Sequence, residues 1–380
     1  MMRVLLAGGG TAGHVEPALN LAIELRARHA DCELAFLGTP TGLENRLVPA
    51  HGFRLERIPA VPLPRRPSWQ LFSAPLEIGR AIHQTAQIIR RDLIDVVVGF
   101  GSYVALPAYL AARGRAGIVV HEANAKAGLG NRVGARLTPF VAQAYAGSLP
   151  HAKTIGIPLR REIAELDRRA SREQARATLG LDPARACLLV FGGSQGARRI
   201  NAAVVEAVPN LVADGYQVLH GYGAKNGDQV CDLVTASQPH YRPLPYLDDM
   251  ALAYAAADLA ICRSGAMTCA EVAAVGLPAI YVPLPIGNGE QRLNATAVVA
   301  AGGGMVLADT DLSAARISCD VDAVLGDKQR LAAMGAAAAA FGVRDASARL
   351  ADMVEACAAV AVRRRQTAAT AAGIPRRSES

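Results

Sequence analysis

Two glycine-rich turns constrain this chain more than any other feature. Gly8-Gly9-Gly10-Thr11-Ala12-Gly13-His14 follows the apolar run Val4–Ala7, and Gly192-Gly193-Ser194-Gln195-Gly196-Ala197 follows Leu188–Phe191. Each turn opens an amphipathic segment, so strand, glycine turn and helix occur twice, about 180 residues apart. Glycine lets the backbone turn tightly, and the N–H groups at the following helix start suit a phosphate. Two such units predict two nucleotide-fold-like halves with the site in a cleft between them.

The chain's 380 residues suffice for two domains, each with its own core. Short β runs alternate with helical periodicity: Arg3–Ala7, a helix from Pro17 to about His29, Leu34–Leu37, Val96–Val98, a helix near Leu106–Arg113, Ile118–Val120 and Phe140–Gln143. After the breaker-rich Gly156-Ile157-Pro158 the rhythm resumes with Leu188–Phe191, Gln217–Leu219, Leu259–Cys262, Ala279–Val282 and Met305–Leu307. Alternation of this kind predicts an α/β fold of doubly wound parallel sheets, which bind ligands at the carboxyl ends of their strands. The expected domains are 1–158 and 159–344. Beyond residue 363 the Arg-, Ala- and Thr-rich sequence reads as a disordered basic tail, 363–380.

Charge is uneven. Residues 1–158 carry 17 Lys and Arg against 10 Asp and Glu, whereas residues 159–380 carry 23 of each. A basic N-terminal half suits an anionic partner, either a polyphosphate or an anionic membrane surface. No helix-turn-helix or zinc-finger pattern and few stacking aromatics are present, which argues against nucleic acid. The seven cysteines form no C-x-x-C pair, so reduced thiols are expected rather than a zinc site or disulfides. Polar and acidic residues follow the first strand too closely for a signal peptide, and the uncharged run Val96–Ala112 is broken by glycines and Pro107. No membrane span is expected. Residues 61–82, with prolines, the adjacent Arg65 and Arg66, and Trp69 beside Leu71 and Phe72, suit either a lipid-headgroup surface or a loop tucked into the core.

Gly8-x-Gly10-x-x-Gly13 has dinucleotide-fingerprint spacing, but the strand that should end in an acidic residue ends Leu37-Gly38-Thr39. His14, in a first helical turn, meets the positive end of the helix dipole, which favours a neutral ring able to take a proton from a hydroxyl. His121-Glu122 begins like a metal-binding H-E-x-x-H, but residue 125 is Ala. Asp309-Thr310-Asp311 has the D-x-D form of a metal–nucleotide-sugar motif, yet Asp311 reads as the cap of a turn over Leu312–Arg316. No metal is implied. The run from Ser264 to Glu271 enters a helix after a strand, where its N–H groups suit phosphate and Glu271 suits two ribose hydroxyls.

Eight segments in order carry a resemblance that runs from residue 3 to about residue 357: GGGTAGHVEPAL, GFGSYVALP, HEAN, GIPLR, FGGSQGA, YLDDM, CRSGAMTCAE and EQRLNA. With them the chain resembles the MurG family of N-acetylglucosaminyltransferases. The resemblance implies the GT-B fold, two Rossmann-like domains facing a central cleft, with no cofactor and no essential metal. It implies inverting transfer of GlcNAc from UDP-GlcNAc to the MurNAc 4-hydroxyl of undecaprenyl-linked lipid I, by a peripheral enzyme on the cytoplasmic face of the membrane. Residues 1–158, joined by a C-terminal helix near 345–362, would bind acceptor and membrane; residues 159–344 would bind the donor. Carried over residue by residue, His14 is the candidate base and Tyr103 lies on the acceptor side. Thr11, Ala12, Gly13 and Asn124 would lie near the donor sugar, and Arg160 and Ser194 at the UDP portion. Leu247 would frame uracil through its backbone. Ala266, Met267, Thr268, Cys269, Ala270 and Glu271 would cradle phosphates and ribose, and Gln291 and Asn294 would address the GlcNAc hydroxyls. The chain departs from the family pattern at Ala12, Glu16, Gly79 and Arg113, and its apolar membrane patch is reduced to Phe72, Leu76 and Ile82. The rival readings are a GT-B enzyme acting on a soluble acceptor and a catalytically idle nucleotide-sugar-binding scaffold.

Overall fold

The computed structural model describes residues 1–60, 70–192, 197–223, 226, 239–285 and 289–371. The chain divides into two compact units, Met1–Pro158 with the segment from Asp345 onward, and Leu159–Arg344. The first unit is built on seven strands: β1 Arg3–Ala7, β2 Glu33–Gly38, β3 Arg54–Arg57, β4 Val96–Gly99, β5 Gly117–Glu122, β6 Val141–Gln143 and β7 Lys153–Thr154. They pair in parallel in the order β3-β2-β1-β4-β5-β6-β7. The second unit holds six: β8 Cys187–Phe191, β9 Gln217–Gly221, β10 Tyr241–Leu244, β11 Leu259–Cys262, β12 Ala279–Tyr281 and β13 Gly304–Val306. Their order is β10-β9-β8-β11-β12-β13, again parallel.

Parallel strands covered on both faces need apolar residues at every position, and period-two alternation distributes them. In β1, Val4 and Leu6 pack with Val96 and Val98 on one face, while Leu5 and Ala7 pack with Val97 on the other. In β8, Leu188 and Val190 join Ile261 and Ile280, whereas Cys187, Leu189 and Phe191 join Ala260 and Cys262. In both sheets the strand order reverses direction beside the first strand, between β1 and β4 and between β8 and β11. Loops leaving such a switch point diverge and open a crevice at the carboxyl edge. Both glycine turns leave from there.

Several elements differ from the sequence expectation. The first helix spans Ala12–Arg28 and contains Pro17 rather than starting at it. Gly10, at φ +89°, turns the chain so sharply that Thr11 becomes the N-cap, and Pro17 costs only one early hydrogen bond. The charged β3, the short β7 and β10 lack an apolar signature, because each sits toward a sheet edge. Helix Ala314–Leu325 is capped by Ser313, whose Oγ accepts from the Arg316 amide, so Asp311 is not the cap. Asp309 and Asp311 instead form a 3-10 turn.

The C-terminal helix runs Ala346–Ala371, past residue 363 where a disordered tail was expected. Its Ala, Arg and Gln content favours helix, and the sequence offers no breaker before Gly373. The helix belongs to the first unit: Arg28 pairs with Asp352 at 2.6 Å and Glu355 at 3.2 Å, and Cys357 Sγ lies 3.7 Å from Ile118 O. Residues 372–380 lie outside the described residues, as do 61–69 with Trp69. Within 70–91 the chain is one helix. Leu76 is exposed on it and Ile82 packs half-buried on the core; the Leu71 and Phe72 side chains are outside the description. No helix among the described residues is long and apolar enough to cross a membrane.

Candidate functional site

In the first unit the loops after β1, β4 and β5 carry the predicted residues. The Thr11 hydroxyl does not cap its helix; it meets the His14 ring, Oγ1 to Nδ1, at 3.0 Å. If Nδ1–H donates to Thr11, the ring is set in the tautomer whose basic nitrogen is Nε2. The ring lies against Gly101, where an added Cβ would stand 3.2 Å from His14 Cδ2 and 3.3 Å from Nε2. Tyr103 is exposed one residue beyond Ser102, which adopts φ +68°. A non-glycine residue in the left-handed region stores strain of the kind concentrated at functional sites.

The amides of the first glycine turn ahead of the N-cap are bonded internally: Gly9 N donates to Ser102 Oγ at 3.3 Å and Gly10 N donates to Glu44 Oε2 at 2.7 Å. Those donors are spent within the fold.

At the end of β5, the buried Glu122 carboxylate organises the loop that carries Asn124. Oε1 accepts from Asn124 N at 3.0 Å and Nδ2 at 3.3 Å; Oε2 accepts from Gly128 N at 3.1 Å and Asn131 Nδ2 at 3.0 Å. Burial pushes this carboxyl up, and the four N–H donors oppose that shift. Neighbouring His121 is buried with Nε2 donating to Gly156 O at 2.9 Å, and burial lowers its pKa to about 4. His121 and Glu122 are therefore scaffold, and among the described residues no metal-binding cluster exists.

In the second unit, helix Ala266–Ala274 begins directly after β11, and its N-cap Gly265 supplies no side-chain bond. Its open first-turn amides come from Ala266, Met267 and Thr268. Cys269 is core, with burial pushing its thiol up, and its amide already donates to Gly265 O at 2.9 Å, so the structure gives it a packing role instead of the predicted ligand contact. Ala270 is half-buried in the same turn. Glu271 is buried, and both its oxygens are engaged: Arg160 Nη2 donates to Oε1 at 3.3 Å and the Tyr254 hydroxyl donates to Oε2 at 2.9 Å.

Asn294 is buried with Nδ2 at 3.5 Å from Ser264 O, and Gln291 Oε1 accepts from the Leu284 amide at 3.0 Å. Both predicted sugar-binding side chains thus hold loops at the carboxyl edge. Leu247 is buried, its side chain filling the space above Gly221, where a Cβ would stand 2.7 Å from Leu247 Cδ1. Ser194 lies outside the described residues.

Three further residues hold this edge, and of them only Tyr254 had no signal in the sequence. Ser264 is fully buried, and its Oγ has no hydrogen-bond partner among the described residues although it immediately precedes the helix cap. Asp309 pairs with Arg263 at 2.6 Å and Arg199 at 3.0 Å, so the D-x-D carboxylate is consumed in an ion-pair network. Tyr254 is invisible as a site residue because it lies in an Ala-rich segment that reads as core.

Family comparisons agree with this architecture. A model described as the glycosyltransferase family 28 N-terminal domain matches residues 4–143, and the family 28 C-terminal domain matches residues 187–350. The chain is 56% identical over 367 residues to a UDP-N-acetylglucosamine--N-acetylmuramyl-(pentapeptide) pyrophosphoryl-undecaprenol N-acetylglucosamine transferase of Acidothermus cellulolyticus, covering 94% of this chain and 98% of the relative. It is 54% identical over 367 residues to the Streptomyces coelicolor protein of the same name, covering 96% and 100%. The crystal structure of Acinetobacter baumannii MurG superposes with a TM-score of 0.78 at 29% identity, covering 93% of this chain and 99% of that one. Two parallel-sheet α/β units matching that structure make the fold GT-B. On the strength of both domain models and of relatives spanning nearly its whole length, the chain belongs to glycosyltransferase family 28.

Proposed function

We propose that the protein is a hexosyltransferase that moves GlcNAc from UDP-GlcNAc to the MurNAc 4-hydroxyl of lipid I, forming lipid II for peptidoglycan synthesis. The observation that carries this is 56% identity to a transferase named for that reaction, over 94% of this chain and 98% of the relative. In the reaction the acceptor oxygen attacks C1 of GlcNAc, and the C1–O bond to the β-phosphate breaks. The bonding electrons leave with UDP, and the hydroxyl proton passes to a base. His14 fits that role because its Nδ1 contact with Thr11 orients the ring and favours the tautomer whose basic nitrogen is Nε2.

The donor half rests on the second unit. The first-turn amides from Ala266 to Thr268 and the Arg160 guanidinium suit the pyrophosphate, whose charge grows as UDP departs. Glu271 takes the ribose hydroxyls, and Gln291, Asn294 and Asn124 lie near the sugar with Thr11, Ala12 and Gly13. Ser194 joins the UDP contacts, Leu247 frames the base, and Tyr103 belongs to the acceptor side. The first unit with its C-terminal helix binds acceptor and membrane.

The protein works peripherally on the cytoplasmic face. The excess of basic residues before residue 158 and the exposed Leu76 support docking on anionic lipid. The test is transfer from labelled UDP-GlcNAc to a lipid I analogue with metal chelated and a soluble sugar acceptor in parallel. Lipid-linked disaccharide with UDP is the expected product. Transfer to the soluble acceptor alone overturns the acceptor assignment, and binding without transfer overturns the enzyme reading.

A further inference from the structure

Glu44 is fully buried at the start of helix Glu44–Ala50, and both its oxygens are used. Oε2 accepts from Gly10 N at 2.7 Å; Oε1 accepts from Thr39 N at 2.7 Å and from the Thr39 hydroxyl at 2.9 Å. The amide of adjacent Leu43 donates to Gly10 O at 3.2 Å. Gly10 is therefore gripped at both its N–H and its C=O by two consecutive residues. The packing leaves no slack: a Cβ on Gly9 would stand 2.6 Å from Glu44 Oε1, and one on Gly38 would stand 2.4 Å from Cγ.

In a dinucleotide fold, the acidic residue at the end of the second strand reaches outward to a ribose. Here Thr39 directly follows β2, and the carboxylate docked on it faces back into the loop. This arrangement explains in one step why the glycine fingerprint comes without a cofactor acid.

We propose that Glu44 is a positioning residue for the transfer reaction, holding the Gly10 peptide so that the following Thr11–His14 pair keeps its geometry. The proposal rests on the reading of His14 as the base. A buried carboxylate serving three donors is a strong and directional anchor. Gln is nearly isosteric but replaces one acceptor oxygen with an N–H donor, which must then face either the Gly10 or the Thr39 amide. One side of the clamp opens while the volume is kept.

The experiment compares Glu44→Gln with the native enzyme in lipid I turnover, UDP binding, thermal unfolding and the pH profile of kcat. The expected result is a fall in kcat of about 10- to 100-fold. UDP affinity stays within about twofold and Tm within a few degrees, and the acidic limb of the pH profile is displaced, because the contact that orients His14 has loosened. A kcat within about twofold of native overturns the proposal. So does a loss that tracks the UDP-binding-competent fraction with an unchanged pH profile, which marks a purely structural role. Should Glu44→Gln fail to fold, Glu44→Asp keeps the charge, shortens the reach by one methylene and is judged by the same readouts. His14→Ala run in parallel separates the two ideas. Native turnover there removes the base, while a loss there beside native Glu44→Gln removes only the clamp.

Discussion

Arg160 Nη2 donates to Glu271 Oε1 at 3.3 Å, so two residues assigned to different parts of the nucleotide form one ion pair. The Glu271 side chain is 10% exposed and that of Arg160 31%, so the carboxylate is the fixed partner and the guanidinium the adjustable one. In the proposed donor site, a nucleotide at Glu271 would meet a carboxylate already oriented by Tyr254. It would also meet the Arg160 cation paired with that carboxylate.

Glu271→Ala should weaken UDP binding by roughly 10- to 100-fold, the scale of one or two hydrogen bonds to a charged group. Arg160→Ala should weaken it by about tenfold. The double variant should lose less than the sum of the two, because each single change also strands the other's partner. Calorimetric titration with UDP checks this; an unaltered dissociation constant in Glu271→Ala removes the ribose assignment.

His14→Ala should lower kcat by roughly a hundred- to ten-thousandfold, the usual worth of a positioned base. UDP affinity should not change. Single-turnover transfer with saturating donor separates the chemical step from binding, and an unchanged rate takes His14 out of the reaction.

Stability should fall on mild acidification. His121 in the first unit and His220 in the second are buried, and burial lowers the pKa of each from 6.5 to about 4. The unfolded chain then binds more protons than the folded one between those values. The two contributions are fully present above pH 6.5 and are lost progressively as pH falls toward about 4. Each is worth on the order of 3 kcal/mol. Urea midpoints measured from pH 7.5 to 4.5 should fall with decreasing pH, and a flat profile would contradict buried neutral rings.

Asp258→Ala should destabilise the second unit by roughly 3–5 kcal/mol, because it strands a buried cation. Asp258 Oδ2 accepts from Arg176 Nη2 at 2.7 Å and Cys187 N at 2.8 Å, and Arg176 is 1% exposed. This pair lies before β11, at the strand ends opposite the glycine turns. UDP affinity of the folded variant at low temperature should therefore match the native value, while its urea midpoint drops.

The sequence by itself determined the two-unit, doubly wound architecture. Apolar strand runs and glycine turns are local signals, and the repetition of both required two sheets. Motif strings likewise marked Thr11–His14, Asn124, Arg160 and Ala266–Glu271, because their chemistry lies in contiguous residues. Only the tertiary structure decided how those residues are held. Glu44 clamps Gly10 from 34 positions away, Tyr254 orients Glu271 from 17, and Asp309 binds Arg263 from 46. No periodicity records such pairings, since each depends on which strand ends the parallel crossovers bring side by side. The same reason bonds the first glycine turn internally ahead of its helix: the Gly9 amide meets the Ser102 hydroxyl and the Gly10 amide the Glu44 carboxylate, side chains that only the folded sheet brings beside it.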